Sequence, residues 1–91
     1  MSDVRDNAAR SRFELETEAG VAYAAYVRDG DRWTFTHTVV PPEVEGHGVG
    51  SRLVAAALAD VEAAGGQVVA QCPFVAAYIE RHPEWRRLVA P

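Results

Sequence analysis

The chain contains no lysine, only one cysteine, and no apolar run approaching the ~20 residues that span a bilayer. Each absence removes a class of function. A P-loop needs a lysine after its last glycine, so a P-loop is excluded. A single cysteine, Cys72, excludes an intramolecular disulfide and points to a reduced, cytoplasmic setting. Basic charge is also scarce. Nine Lys and Arg stand against thirteen Asp and Glu, a formal net charge of −4 with a pI near 5.2. That balance argues against a general nucleic-acid binder, which shows a basic face, and against an anionic membrane surface as partner. Met1 to Arg12 is polar and mixed in charge, so no secretory signal is visible. His37, His47, His82 and Cys72 fall at no metal-ligand spacing, and no metal is expected.

What is present suits one soluble domain. Ninety-one residues that are 48% hydrophobic and 24% charged support a single core with little to spare. Residues 1–11 carry no apolar period and read as a loose tail, which leaves 12–91 as the domain. Arg12 to Glu16 alternates as a strand with Phe13 and Leu15 inward. After a turn at Ala19-Gly20, Val21, Tyr23, Ala25 and Val27 define one face of a second strand, and Ala22, Ala24 and Tyr26 the other. Asp29-Gly30-Asp31 is a hairpin signal. Trp33, Phe35, His37 and Val39 then share one face of a third strand, with Thr34, Thr36 and Thr38 opposite. Pro41-Pro42 ends it, because neither residue donates a ladder hydrogen bond.

The next stretch organises the chain. Gly46-His47-Gly48-Val49-Gly50 runs straight into a helix whose Val49, Leu53, Val54, Ala57, Leu58 and Val61 form one apolar stripe. Strand, glycine-spaced loop and helix together aim unpaired backbone N–H groups and a positive dipole end at an anion. The loop reads as a phosphate or pyrophosphate cradle, or, more plainly, as a tight turn. Its spacing is not the Gly-x-Gly-x-x-Gly of a dinucleotide fold, and the hairpin before it does not suit a Rossmann unit. Gly65-Gly66 closes the helix. Gln67 to Cys72 reads as a buried strand, joined by a right-handed crossover and so parallel to the third. Pro73 starts a second helix to about Arg81, with Cys72 near its N-cap, and Pro83 ends it. Trp85 and Leu88 return to the core. The fold class is α/β: a mixed, mostly antiparallel, twisted sheet of at least four strands with a parallel pair, flanked by two helices.

This order resembles the GNAT acetyltransferase superfamily, in a small branch without its usual N-terminal helices. The resemblance rests on Phe35 to Pro41, Gly46 to Val54 and Cys72 to Trp85, about two-thirds of the chain. It implies that acetyl-coenzyme A is the cofactor. Its pantetheine arm would pair with Thr38, Val39 and Val40 in the gap between splayed parallel strands. Its pyrophosphate would meet the N–H groups of Gly46, His47, Gly48, Val49, Gly50 and Ser51. Glu45 departs from the pattern, which usually has Gln or Arg there. Arg52, in the first helical turn, would supply the missing positive charge.

Acetyl transfer to an amine needs a base, donors for the oxyanion and an acid for the leaving thiolate. The resemblance makes Tyr78 the acid, and its plain alternative is a core aromatic beside Phe74. Cys72 at a helix N-terminus is in a setting where cysteines become nucleophilic, yet a lone buried cysteine is commonly an inert small hydrophobe. His37 is a candidate base or a packed, hydrogen-bonded histidine. His47 lies within reach of a phosphate, and Glu43 is a weaker base candidate. The expected activity is an N-acetyltransferase acting on an unidentified amine. Without the helices that normally wall the acceptor site, that site would be open to a peptide amine or completed by a partner subunit in a homo-oligomer. The rival classes are a non-catalytic acyl-coenzyme A-binding module and a small interaction domain that no longer binds the coenzyme.

Overall fold

In a computed structural model, which describes residues 3–91, five strands form one sheet in the order β1-β2-β3-β4-β5. They are β1 (Arg5–Asn7), β2 (Arg12–Thr17), β3 (Gly20–Asp29), β4 (Arg32–Val39) and β5 (Gln67–Ala70). The first four are antiparallel, and β5 lies parallel to β4. Two helices complete the fold: α1 (Val49–Ala63) between β4 and β5, and α2 (Pro73–Arg81) after β5.

The apolar pattern decides how the layers meet. Phe13 and Leu15 of β2, Ala22, Ala24 and Tyr26 of β3, Trp33 and Phe35 of β4 and Val68 of β5 are all buried on one face. Against them lie Leu53, Val54, Ala57, Leu58 and Val61 of α1 and Val75, Tyr78 and Ile79 of α2. Complete burial of one such aliphatic side chain stabilises by about 1.5–3 kcal/mol. The α1 stripe is therefore enough to fix the helix on the sheet. The C-terminus of α1 is closed by two bonds, Gly66 N–H to the Val61 carbonyl at 2.9 Å and Gly65 N–H to the Glu62 carbonyl at 3.0 Å. Gly65 makes this possible by adopting φ +72°. On the opposite face of the sheet, among the described residues, only Glu14 is buried, and Val21, Val27 and Val39 are exposed. The result is a two-layer molecule with one open sheet face.

Two expectations from the sequence need correction. First, part of the stretch read as a loose tail is ordered. Arg5–Asn7 pairs with β2 as β1, and Ala8–Arg10 makes a 3-10 turn capped by the Asn7 side chain. Side chains hold this polar strand in place. The Tyr26 hydroxyl donates to Asp6 at 2.6 Å, and Asn7 donates to Glu14 at 3.2 Å. Burial and the adjacent Asp6 carboxylate push the Tyr26 phenol up to about 12, so it stays a donor. Second, His37 and Val39 do not share the face of Trp33 and Phe35. Tyr26 pairs with Phe35 but Ala25 pairs with His37, so Thr36 is an extra residue on β4. A one-residue bulge reverses every later side chain. His37 and Val39 turn to the open face, and Thr38, opposite Ala24, turns inward.

Glu14 ties this edge together. Its carboxylate accepts from Arg12 Nε at 2.6 Å, and the Arg12 guanidinium lies 4.4 Å over the Tyr23 ring. The hydrogen bond from Arg12 holds the Glu14 carboxyl below its ordinary 4.5, against the opposing effect of burial. A carboxyl lowered on folding stabilises the fold above its unfolded pKa, and that contribution is lost as pH falls from about 4.5 through the folded value. Urea midpoints measured at neutral pH and below this range should therefore fall further for the wild type than for Glu14→Gln. An equal fall in both proteins would remove Glu14 from the acid response.

Candidate functional site

The parallel pair comes apart at one end. Pairing between β4 and β5 runs from Arg32↔Gln67 to Phe35↔Ala70 and stops there, while β4 continues to Val39. The last link is Cys72 N–H to the Phe35 carbonyl at 2.8 Å. The bulge at Thr36 begins where this pairing ends, and a bulge bends its strand. β4 is thus free on its β5 side along the stretch that carries Thr38.

The glycine loop lies beside this gap. Pro41 opens a 3-10 turn over Pro42–Val44, and Val44 sinks into the core. Gly46 and Gly48 then take φ +83° and +76°, left-handed values that glycine adopts without strain. These turns leave the donors at the start of α1 unused. The first helical bond is Arg52 N–H to the Gly48 carbonyl at 3.0 Å. Among the described residues the N–H groups of Gly46, Gly48, Val49, Gly50 and Ser51 have no acceptor, and no side chain caps the helix. Five unpaired donors at the positive end of a fifteen-residue helix are an anion site in waiting.

Loop and gap share a cleft of about 390 Å³, within the range of small-molecule sites. Thr38 and Val40 form one wall, Gly46, Gly48, Val49, Gly50 and Ser51 another, with Val44, Glu45 and Phe74 completing it. Below Thr38 lies Cys72, the N-cap of α2. It is buried and free, with its Sγ 3.4 Å from Thr38 Oγ1. Phe74 closes over the helix start so tightly that a Cβ on Gly50 would sit 2.6 Å from its ring.

The structure brings seven of the sequence-derived candidates into the cleft and leaves others outside it. Thr38, Val40, Gly46, Gly48, Val49, Gly50 and Ser51 line it, with Cys72 bonded to Thr38. Val39 faces the open side of the sheet and is exposed. His37 is exposed there too, its Nδ1 3.1 Å from Thr36 Oγ1. His47 and Arg52 lie around a second hollow, with Thr17 and Glu18. Arg52 is 4.0 Å from Asp3 there, an exposed pair of little energetic weight. Tyr78 is buried, stacked on His82 with ring centres 4.1 Å apart, and its hydroxyl makes no hydrogen bond among the described residues. Sequence reasoning did not put Val44 or Phe74 in the cleft. The i to i+24 contact between Gly50 and Phe74 exists only once α2 is docked, though a glycine in the first turn of a helix hints at a close neighbour.

Residues 12–88 match the model of the GCN5-related N-acetyl-transferase family. The chain belongs to that family. Among solved structures it is similar to a GCN5-like protein from Staphylococcus aureus, determined by NMR in solution. The TM-score is 0.74 and the identity 21%, over 99% of this chain and 91% of that one. That likeness shows the fold, including the mixed sheet with helices expected from the sequence. No curated protein matches the sequence. No described helix is long and apolar enough to cross a membrane.

The Gly50–Phe74 contact is open to a double-mutant test. Gly50→Ala adds helix propensity of up to ~1 kcal/mol but must displace the Phe74 ring. In the wild type we expect no gain or a net loss in the urea midpoint. In a Phe74→Ala background the same change should stabilise. Additive effects in the two backgrounds would contradict the contact.

Proposed function

We propose that this protein binds acetyl-coenzyme A in the cleft and transfers its acetyl group to an amine, with a peptide or protein amine as the acceptor the open site suits. The observation that carries this reading is the juxtaposition of the unpaired β4 edge with five unpaired N–H groups at the start of α1. The donors fit a pyrophosphate, since charge-assisted bonds to backbone N–H groups suit phosphate oxygens. The edge at Thr38 and Val40 fits an extended amide-bearing chain, which can add to a strand through backbone hydrogen bonds. The bound thioester supplies the activated acetyl group.

The chain's own residues would hold the arm, shield the reacting end and move protons. Thr38 and Cys72 meet at 3.4 Å where β4 and β5 part, which suits the sulfur end of the cleft. Tyr78 is proposed as the group that protonates the leaving thiolate, its ring held by stacking on His82 and its hydroxyl without a hydrogen bond among the described residues. The base role of His37 requires the acceptor amine to approach from the open sheet face, where His37 stands. A lone free cysteine suits a reducing compartment, and we assign the reaction to the cytoplasm.

A second reading is favoured by one observation. Neither His37 nor Tyr78 lines the cleft, whose own walls carry Glu45 as their one ionisable side chain. That arrangement fits an acyl-coenzyme A-binding module without turnover. Calorimetric titration with acetyl-coenzyme A and coenzyme A, paired with release of free thiol in the presence of peptide amines, separates the readings. The enzyme reading expects saturable binding at one site per chain and amine-dependent thiol release. Tyr78→Phe should then slow release by roughly 10²-fold while leaving affinity unchanged. Unchanged release would remove Tyr78 from the chemistry, and binding without any release would establish the module. No binding at millimolar ligand would overturn both.

A further inference from the structure

One large apolar side chain stands in the cleft with much of its ring uncovered. Phe74 lines the cleft and remains 37% exposed, whereas Phe13, Phe35 and Tyr78 are buried. Its position is fixed at both ends. The Phe74 backbone lies in the first turn of α2, two residues beyond Cys72, and so starts beside the Thr38–Cys72 contact. The ring tip reaches the start of α1. A Cβ on Gly50 would lie 2.6 Å from Cζ and 3.2 and 3.3 Å from the two Cε atoms. Contact through the tip holds the ring against the helix backbone and leaves its faces for other partners. The side chain thus spans from the end of the cleft where β4 and β5 part to the end where the loop donors stand. A ligand that reaches from the N–H groups of Gly50 and Ser51 to Thr38 passes this ring. A ligand that fills the donors alone does not.

We propose that Phe74 is the specificity-determining residue of the cleft. Its uncovered ring face takes the apolar, methyl-bearing middle of the pantetheine arm, so the site selects coenzyme A and its thioesters over nucleotides that carry the same phosphates without the arm. The chemistry divides along the cleft. Backbone donors of the loop suit phosphate oxygens and accept any diphosphate of the right size. The β4 edge suits the amides of an extended chain. Phe74 has no polar atom to offer, so what it adds is apolar area, which rewards only a ligand able to cover it. The inference rests on the coenzyme reading above and names what that site selects.

The test compares two ligands by calorimetry in wild type, Phe74→Ala and Phe74→Leu. One is acetyl-coenzyme A, and the other is the coenzyme's own adenosine nucleotide ending at the diphosphate. The preference for acetyl-coenzyme A over the armless nucleotide should fall roughly tenfold in Phe74→Ala, the scale of uncovering part of one aromatic side chain. Phe74→Leu should restore most of it, because the contact asks for apolar area and not for a particular group. In wild type saturated with acetyl-coenzyme A, NMR should show intermolecular NOEs from the Phe74 ring protons to the geminal methyl groups of the arm. An unchanged preference in Phe74→Ala would overturn the assignment while leaving coenzyme binding intact. So would saturated wild type without those NOEs. Failure of wild type to bind acetyl-coenzyme A at millimolar ligand would overturn the assignment and the coenzyme reading together.

Discussion

The candidate site depends on one mismatch of strand lengths. β4 carries an extra residue, Thr36, relative to β3, and β5 stops pairing one residue before that bulge. A parallel pair satisfies its edge groups only while both strands run together. Where β5 leaves, β4 keeps a backbone edge with no partner, held rigid on its other side by the ladder to β3. The bulge also decides which side chains accompany that edge. It turns Thr38 into the molecule toward Cys72 and sends His37 to the open sheet face. If Thr36 paired regularly with Ala25 instead of bulging, His37 would fall opposite Ala24 and turn inward in the place of Thr38.

The second constraint is electrostatic. An acidic chain without lysine offers few cationic side chains to a polyanion, and what the glycine loop presents is oriented backbone dipoles. Gly46 and Gly48 reach left-handed φ values, and with Gly50 they keep Cβ atoms away from five N–H groups at the α1 N-terminus. The core supports this arrangement from below. Val44, Val49, Leu53 and Val54 anchor the loop and first turn, so the donors are fixed before any ligand arrives. Preorganised dipoles lose little entropy on binding.

Most of this architecture is legible in the sequence because local and tertiary demands agree. Gly46 to Gly50 followed by the Val49–Val61 stripe specifies a loop and a helix start, and α1 begins at Val49. The Asp29-Gly30-Asp31 turn, Gly65-Gly66 and Pro73 mark boundaries found close to where they were expected. The misses have a common cause. β1 is three polar residues without alternation, and it exists because Asp6 and Asn7 find partners on Tyr26 and Glu14. The Thr36 bulge leaves the alternation of Trp33, Phe35, His37 and Val39 unbroken in the sequence, so only the partner strand reveals it. Phe74 reads as one more apolar residue of a helix until α2 docks against Gly50.

The central claim is that the unpaired N–H groups of the glycine loop and the free β4 edge together bind the coenzyme. Residue-resolved NMR of the full chain, titrated with acetyl-coenzyme A, tests it most directly. The account predicts saturable shifts concentrated at the amides of Gly46, Gly48, Val49, Gly50 and Ser51 and at Thr38 and Val40. The largest downfield changes should fall on the loop donors that gain acceptors. Saturable shifts centred on the open sheet face around Tyr23, Ala25 and His37, with the loop amides unmoved, would contradict it.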